Sequence, residues 1–302
     1  MIRVFGSLNM DLVAAADHIP VPGETVLTGT YLRVPGGKGN NQAVAAARAG
    51  GAVAMAGCVG RDGFGEILID NLRRNGIDTA AVRPVDEPTG IAMITVDKAG
   101  ENIITVASGA NMAVTADLFG PNQWTTGDTL VVQMEVPPEE TWKTVRQAHE
   151  RGARTIVNVA PAAPIPHDIL EAVDVLVVNE GEAMTVARGL GLTTPDIAAT
   201  ARALVEAGAG ACVVTLGGDG AMAAVGDHVY RVVPARITVA DTTGAGDTFT
   251  GVLAQGLDAG LSMQDALRRA SLAAGLACEA LGAQASMPAA EAIDAAMAER
   301  RI

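Results

Sequence analysis

Aromatic residues and long apolar runs are scarce in this chain. Only 3% of its 302 residues are aromatic, although 49% are hydrophobic. The core must therefore be built from Ala, Val, Leu, Ile and Met, which suits helices packed closely on a parallel sheet. Glycine or charge interrupts the apolar runs, so no membrane span is expected.

Cysteine is also rare. Cys58, Cys212 and Cys278 lie far apart in apolar stretches, and neither a CxxC pair nor a metal-ligand spacing occurs. We expect buried thiols in a reducing compartment. The first residues enter a strand-like run without the apolar stretch of a signal peptide. Together these features predict a cytoplasmic protein.

Positive charge is in deficit, with a formal net charge of -13. Such a surface repels nucleic acid and anionic membranes, so neither is expected as a partner. A phosphate-bearing ligand would have to be held by local N–H groups or a metal ion.

Short β-branched runs alternate with alanine-rich helical stretches along most of the chain. This rhythm predicts an α/β fold with a doubly wound, mainly parallel sheet flanked by helices. The predicted core strands are 2–6, 53–59, 129–134, 155–158, 175–178 and 212–216. The predicted helices are 41–49, 65–75, 139–151, 195–207, 246–259, 264–281 and 289–299.

Two segments break this rhythm, at about 11–34 and 89–106. The first has strand character with several prolines, and the second resembles a hairpin that turns near residues 98–100. We expect them to form a small β-sheet lid over the carboxyl ends of the core strands. The chain 1–302 is thus predicted to be one α/β domain with an inserted lid.

The strongest motif is DTTGAGDTFTG at 241–251, between a strand-like run at 236–240 and a predicted helix. Small residues at a helix start leave N–H groups open to an anion, here at Gly244, Ala245 and Gly246. A carboxylate beside that anion hole, Asp247, can accept a proton from a hydroxyl group near a phosphoryl centre. The alternative is an ordinary tight turn and helix start.

A second motif, PGGKGNNQA at 35–43, also opens a helix. It is not a Walker A loop, because Lys38 is followed by Gly39 rather than Ser or Thr. Close backbone approach at Gly37 and the amide of Asn41 suit a polyhydroxyl ligand. The alternative is a glycine-rich loop with asparagine caps.

A third motif, Asn179-Glu180-Gly181-Glu182, follows the predicted strand 175–178. The spacing of Asn179 and Glu182 fits a capping box. It also fits a pair placed near Mg²⁺, its waters and the phosphates of ATP. Both interpretations stay open from the residues alone.

Together these motifs resemble the ribokinase family, the PfkB-type carbohydrate kinases, from Gly6 to Pro288. The resemblance implies the family's ribokinase-like fold and ATP-dependent phosphorylation of a sugar's primary hydroxyl, D-ribose foremost, to give ribose 5-phosphate. It also implies Mg²⁺, an activating K⁺, and a homodimer formed through the lid sheets.

The resemblance also implies roles at matching positions. For the sugar they are Asp11, Gly36, Gly37, Lys38, Asn41 and Glu135, with Asp247 as the catalytic base. For the nucleotide and its Mg²⁺ they are Asn179, Glu182, Thr215, Leu216, Gly217, Gly220, Gly246 and Ser271. For K⁺ they are Asp241, Thr243, Ala277, Ala280, Gly282 and Ser286. Ser271 departs from the family, which has a larger polar residue near the adenine.

Other functions remain to be compared with this one. The acceptor could instead be deoxyribose, fructose, a keto-deoxy acid, or a nucleoside such as adenosine or pseudouridine. A non-catalytic sugar or nucleotide sensor could share the fold. An NAD-dependent dehydrogenase is excluded, because the first strand is followed by Gly6-Ser7-Leu8-Asn9-Met10-Asp11 rather than a GxGxxG turn.

Overall fold

Two β-sheets organise the chain, which a computed structural model describes over residues 1–120, 123–233 and 237–299. The strands are β1 Ile2–Phe5, β2 Asn9–Ala15, β3 Tyr31–Gly36, β4 Val53–Gly60, β5 Asp78–Val85, β6 Gly90–Val96, β7 Asn102–Ala107, β8 Thr129–Val132, β9 Arg154–Asn158, β10 Val175–Asn179, β11 Ala211–Thr215, β12 Ala221–Val225 and β13 His228–Val232. The helices are α1 Lys38–Arg48, α2 Gly63–Arg74, α3 Pro138–Glu150, α4 His167–Leu170, α5 Glu180–Gly189, α6 Ile197–Glu206, α7 Ala245–Asp258, α8 Met263–Ala277, α9 Ala283–Ser286 and α10 Ala290–Glu299.

The larger sheet has the strand order β13-β12-β11-β10-β9-β8-β1-β4-β5. The strands from β11 to β5 run parallel, and the β12–β13 hairpin adds an antiparallel edge. Strands β4 and β8 are buried along their whole length, because helices cover both faces of the sheet. Helices α1, α2, α7 and α8 pack on one face, and α3, α5 and α6 on the other.

Strand order reverses on either side of β1. The chain proceeds from β1 towards β4 and β5, and later returns to β8 on the other side of β1. The loops that follow β1 and β8 therefore diverge and leave a crevice at the carboxyl ends of the strands. In doubly wound sheets this switch point is where ligands bind.

The smaller sheet has the order β3-β2-β6-β7 and lies apart from the larger one in strand pairing. Strands β6 and β7 form the expected antiparallel hairpin, and the Asp97 carboxylate closes its turn by accepting from the N–H groups of Ala99 and Glu101. β2 pairs with β3 antiparallel and with β6 parallel. The small separate sheet predicted from the sequence is confirmed, and it extends to Asn9 and Gly36.

The fold class is confirmed, but several element bounds differ from those predicted. Helix α1 begins at Lys38 rather than 41, because Gly37 caps it with a positive φ of 88°. Helix α8 ends at Ala277 rather than 281, because the Cys278 carbonyl accepts from the N–H groups of Ala240 and Asp241. The strand-like run predicted at 236–240 is irregular from 237 onward, and Arg236 lies outside the described residues.

Six of the described elements were not predicted from the sequence: β5, the two strands of the β12–β13 hairpin, and helices α4, α5 and α9. Only Val82 of strand β5 is buried, and polar residues interrupt the strand, so it carries no continuous apolar run. Helix α5 follows β10 without a loop. None of the helices in the described part of the chain has the length and apolar character needed to cross a bilayer.

Helices α1 and α7 approach each other closely at Gly251. A Cβ atom at this position would lie 2.5 Å from the Gln42 carbonyl oxygen and 2.9 Å from the Ala46 nitrogen. Only glycine fits there without moving the backbone of α1. This contact places the first turns of the two helices beside each other at the sheet's switch point.

We predict that Gly251→Ala lowers the free energy of unfolding by about 1–3 kcal/mol, because it overpacks a helix–helix contact that cannot yield. Gly63→Ala is the matched control, since Gly63 opens α2 and nothing lies within 4 Å of its added Cβ. The control should be neutral or stabilising by up to ~1 kcal/mol. Urea unfolding measures both; equal stabilities would contradict the packing constraint.

Candidate active site

Asp247 lies at the junction of α1 and α7, and its side chain is only 8% exposed. Its Oδ2 accepts a hydrogen bond from Asn41 Nδ2 at 2.9 Å, and its Oδ1 accepts one from Gln42 Nε2 at 3.0 Å. Both donors come from the first turns of α1. The carboxylate is therefore fixed in orientation while it remains at the end of the sheet.

Burial raises the pKa of Asp247 above its ordinary value. The positive charge of Lys38 and the N–H groups of Asn41 and Gln42 lower that pKa in part. The helix dipole considered alone favours the ionised form of Asp247. The opposing effect of burial on its pKa could not be predicted from the sequence. A carboxyl whose pKa is moved towards neutrality is a better general base than an exposed one.

The start of α7 presents N–H groups beside this carboxylate. Gly244 caps the helix in the left-handed region at φ 76°, and Ala245 N–H donates to the Thr242 carbonyl at 3.2 Å. The N–H groups of Gly246 and Asp247 are the second and third of the helix, which have no acceptor within it. They form a place for an anion next to Asp247.

Glu135 follows β8 and is tied to the loop after β1. Its Oε2 accepts from Ser7 Oγ at 2.5 Å and from Lys38 N–H at 3.0 Å. These hydrogen bonds therefore bridge the β1 and β8 sides of the crevice at the switch point. This places Glu135 at the start of the glycine-rich helix.

Asp11 approaches the same region from the small sheet. Burial raises its pKa from 3.8 to about 7, and the negative charges of Glu135 and Asp247 add to the rise. The backbone passes so close that a Cβ at Gly36 would lie within 2.4 Å of the Asp11 carboxyl carbon. Asp11, Glu135 and Asp247 thus form a cluster of interacting carboxyl groups from three separate segments of the chain.

Lys38 supplies positive charge within this acidic cluster. Burial alone would lower the pKa of Lys38. The negative charges of Asp247, Glu135 and Glu182 more than offset that effect, so its pKa lies above the ordinary value. Lys38 stays protonated at neutral pH.

A small cavity of about 170 Å³ joins these groups to the third motif. Lys38, Asn158, Asn179, Glu182, Gly244, Gly246, Asp247 and Thr250 are among the residues that line it. Asn179 and Glu182 form the capping box of α5, with reciprocal hydrogen bonds of 2.8 Å. Burial raises the pKa of Glu182, and the Asn179 N–H and Lys38 offset part of the rise. The capping role and the place in the cavity therefore coexist.

A larger cavity of about 700 Å³ adjoins the small one at Thr215 and Gly246, which line both. Its lining includes the predicted nucleotide residues Thr215, Gly217, Gly220, Gly246 and Ser271, together with Val233, Ile237, Val239, Phe249, Ala274 and Cys278. Leu216 is not among its lining residues. The volume and the largely apolar walls are typical of a small-molecule site.

Two of the predicted cation residues, Thr243 and Gly282, contact Asp241. Its Oδ1 accepts from Thr243 N–H at 2.9 Å, and its Oδ2 accepts from Gly282 N–H at 2.8 Å. Burial raises the pKa of Asp241, but these hydrogen bonds outweigh burial and leave it below its ordinary value. Ala277 and Ala280 lie in the adjoining turn, where the Ala277 carbonyl accepts from Ala280 N–H at 3.5 Å. Ser286 Oγ instead donates to the Ala283 carbonyl within α9.

The sequence reading missed Ser7, Gln42, Gln133, Asn158 and Gln284. Gln42 also donates to Asn158 Oδ1 at 2.9 Å and accepts from Gln133 Nε2 at 2.7 Å. Gln42 stands inside the second motif and Asn158 at a strand end, so both carried a local signal. Ser7, Gln133 and Gln284 are recognisable only from their contacts.

A doubly wound sheet, a buried carboxylate at a helix start and two adjoining cavities define an α/β phosphotransferase of ribokinase-like fold. The pfkB family carbohydrate kinase model matches residues 1–290, so the chain belongs to the PfkB family of carbohydrate kinases.

Relatives agree with this assignment. The chain is 36% identical over 97% of its length to the bifunctional ribokinase/ribose-5-phosphate isomerase A of Fructilactobacillus sanfranciscensis, of which it spans 55%. It is 34% identical over its full length to the ribokinase of Lactococcus lactis, of which it spans 98%. The structure of Arabidopsis thaliana ribokinase complexed with ribose and ATP superposes with a TM-score of 0.88 at 29% identity, covering 97% of each chain.

We predict that Asp11→Asn stabilises the protein as pH rises. Because the folded pKa of Asp11 is about 7 against 3.8 for its ordinary value, wild-type stability from this group is full below pH 4 and is lost by pH 7. The variant should therefore gain about 3–5 kcal/mol over wild type at pH 8, at roughly 1.4 kcal/mol per pKa unit, and progressively less towards pH 5.

Urea unfolding between pH 5 and 8 measures this difference. Asp227→Asn, in the exposed turn between β12 and β13, is the control and should show no comparable pH-dependent gain. If the stability difference between Asp11→Asn and wild type did not change with pH, Asp11 would not be the carboxyl with the raised pKa.

Proposed function

We propose that the protein transfers the γ-phosphoryl group of ATP to the primary hydroxyl of D-ribose, giving ribose 5-phosphate and ADP. The observation that carries the proposal is Asp247, a buried and oriented carboxylate beside the open N–H groups of α7. Family membership and the ribokinase relatives support the sugar as acceptor and ATP as donor.

The sugar would sit in the polar space enclosed by Asp11, Asn41 and Glu135. These side chains offer carboxylate and amide groups to several hydroxyls, and the backbone at Gly36 and Gly37 allows close approach. These three side chains are polar and none is aromatic, which favours a bare sugar over a nucleoside, whose base needs an apolar wall.

Asp247 would accept the proton of the attacking hydroxyl as the phosphoryl group passes to it. The N–H groups of Gly246 and Asp247 would stabilise charge on the transferring group, and Lys38 would add a positive charge from the facing helix. The roles predicted for Gly244 and Ala245 would then consist mainly in shaping this turn, because Ala245 N–H already has an acceptor. Excluding water under the small sheet would prevent hydrolysis of ATP.

The nucleotide would occupy the larger cavity, with its phosphates directed through Thr215 and Gly246 into the smaller one. Leu216 would contribute only by shaping the turn before Gly217. Ser271 would lie near the base, where its small side chain leaves room that a larger residue would fill.

The oxygen atoms of Asn179 and Glu182 fit a Mg²⁺ ion bound mostly through water. One oxygen of the Glu182 carboxylate is used in the capping box, and the residue lines the small cavity beside Asp247. Mg²⁺ retains several waters in such sites and neutralises charge on the phosphates. The chain's own part would be to hold those waters and to keep Glu182 ionised next to Lys38.

A monovalent cation fits the loop around Asp241. The ionised carboxylate and the neighbouring backbone carbonyls at Thr243, Ala277, Ala280 and Gly282 are the oxygen donors that K⁺ prefers. Such an ion would add charge that fixes the 241–244 turn and thereby the start of α7. Ser286 would contribute its carbonyl, since its hydroxyl is engaged within α9.

The small sheet would serve as a lid and as the contact surface of a homodimer. Strand register places Leu32, Ile104 and Val106 on the same sheet face as Asp11, with exposures of 61%, 52% and 49%. Burying this face against a second copy would cover both the apolar side chains and the sugar space. The buried free thiols agree with a reducing, cytoplasmic location.

An ADP-release assay with Mg·ATP tests the proposal. The acceptor panel should include D-ribose, deoxyribose, fructose, adenosine and pseudouridine, each with K⁺ and with a bulky organic cation alone. Turnover on ribose that falls without K⁺ is expected. Turnover on another acceptor but not on ribose would identify that acceptor as the substrate instead. If folded protein bound ATP but turned over no acceptor, the sensor hypothesis would be favoured.

We predict that Asp247→Asn lowers kcat about 10²–10⁴-fold or more while the KM for ATP changes little, because the variant loses the proton acceptor. Its new NH₂ group also faces an amide donor from Asn41 or Gln42. Asp265→Asn is the matched control, since Asp265 is also the third residue of its helix, outside the site. Steady-state kinetics should leave the control within about twofold of wild type. Near-normal turnover by Asp247→Asn would remove Asp247 as the base.

We predict that Ile104→Glu converts the protein to a monomer, because a charge in the centre of the proposed interface would be buried without a partner. Met93→Glu is the control, since Met93 is similarly exposed, at 46%, on the opposite face of the same sheet. Sedimentation velocity gives the mass of each variant. A dimer that survives Ile104→Glu would place the interface elsewhere.

A further inference from the structure

Three side-chain hydrogen bonds connect Asp247 to the far side of α1. Asn71 Nδ2 donates to Gln284 Oε1 at 2.7 Å, and Gln284 Nε2 donates to Asn41 Oδ1 at 2.9 Å. Asn41 Nδ2 then donates to Asp247 Oδ2 at 2.9 Å. The four residues belong to α2, α9, α1 and α7, and we call this chain of hydrogen bonds the amide relay.

The chemistry of Asp247 determines the direction of the whole relay. An ionised carboxylate only accepts hydrogen bonds, so Asn41 must turn its NH₂ group towards Asp247 and its oxygen away. That oxygen needs a donor, which forces Gln284 to present its NH₂ group to Asn41. The oxygen of Gln284 in turn needs the NH₂ group of Asn71.

Water cannot easily replace the members of the relay. Gln284 is 4% exposed and Asn41 is 7% exposed. The Arg48 guanidinium donates to the backbone carbonyls of Gln284 and Met287, which fixes α9 beside α1. A buried amide that loses its partner keeps the full cost of desolvation, so each link reinforces the next.

The other oxygen of Asp247 is held in the same way. Gln133 Nε2 donates to Gln42 Oε1, which obliges Gln42 to turn its NH₂ group towards Asp247 Oδ1 and Asn158. Each carboxylate oxygen therefore receives an amide whose orientation a second amide decides. Loss of the amide relay should therefore weaken the positioning of Asp247 without abolishing it, because Gln42 still holds the other oxygen.

We infer that Gln284 is a positioning residue for phosphoryl transfer: it holds the Asn41 amide in the orientation that serves Asp247 and the sugar. The inference rests on the proposed function. Gln284 touches neither Asp247 nor the sugar space directly, and it acts through Asn41. The segment after α8 is thereby connected to Asp247 through Gln284 and Asn41, and not only through the turn at the start of α7.

Gln284→Met tests the inference, because it keeps the length of the side chain and removes both hydrogen bonds. With K⁺ saturating, kcat/KM for ribose should fall about tenfold, because of the two lost bonds only the one to Asn41 acts on Asp247, and one buried hydrogen bond has about this effect. The KM for ATP should stay within about twofold of wild type. The matched control is Gln147→Met, a half-buried glutamine of α3 outside the relay, which should leave both parameters unchanged.

The pH profile separates positioning from a general loss of structure. A freely turning Asn41 donates less to Asp247, so the acid limb of kcat/KM should move to higher pH in Gln284→Met. Lys38, Glu135 and Asp11 are the charged groups that face Asp247 from other elements, and both variants retain them. The control should keep the wild-type limb.

Gln284→Glu gives a second, opposite perturbation. A carboxylate accepts from both neighbours, so it would draw the NH₂ group of Asn41 away and turn the Asn41 oxygen towards Asp247. The loss in kcat/KM should exceed that of Gln284→Met. Equal or smaller loss would contradict control of the Asn41 orientation by residue 284.

Two further readouts keep the inference independent of folding and of the proposed activity. If Gln284→Met fails to fold, Asn71→Leu at its half-buried position should show the same changes at smaller size, and no change would overturn the relay.

If wild type phosphorylates no acceptor, the proposed function fails. The relay is then tested by ¹³C NMR titration of the Asp247 carboxyl, where an unshifted pKa in Gln284→Met would overturn it.

Discussion

The close contact between α1 and α7 is the constraint on which the candidate site depends. Gly251 lets the two helices approach until their first turns share one polar space. Only at that separation can the amides of Asn41 and Gln42 reach both oxygens of Asp247. A buried carboxylate is costly unless hydrogen-bonded, so one packing contact supplies both the helix geometry and the compensation that keeps the charge inside.

The local charge at the proposed phosphate position is opposite in sign to the net charge of the whole chain. The chain carries a net charge of -13, yet the place for a phosphate is made positive locally by Lys38 and the start of α7. Burial, together with the nearby negative charges of Glu135 and Asp247, raises the pKa of Asp11 to about 7. Three carboxyls around one space destabilise the free protein and match a ligand rich in hydroxyl groups, a trade typical of functional sites.

Much of the fold followed from pattern. The alternation of β-branched and alanine-rich stretches gave the doubly wound sheet, and period-two patterning gave the β6–β7 hairpin. The missed strand β5 has no continuous apolar run, and the early end of α8 depends on the Cys278 carbonyl meeting residues 240–241. Asn179 and Glu182 are instructive in a different way, because the capping box and the cavity lining proved compatible rather than alternative.

The sequence by itself determined the fold class, the position of the helix start at 244–247 and the glycine-rich opening of α1, because these features are written in local spacing and residue type. Tertiary structure alone decided that Ser7 would hold Glu135, that Gln284 would hold Asn41, and that burial would raise the pKa of Asp247. The physical reason is that hydrogen-bond partners and desolvation depend on distances between elements far apart in the chain, which no local pattern encodes.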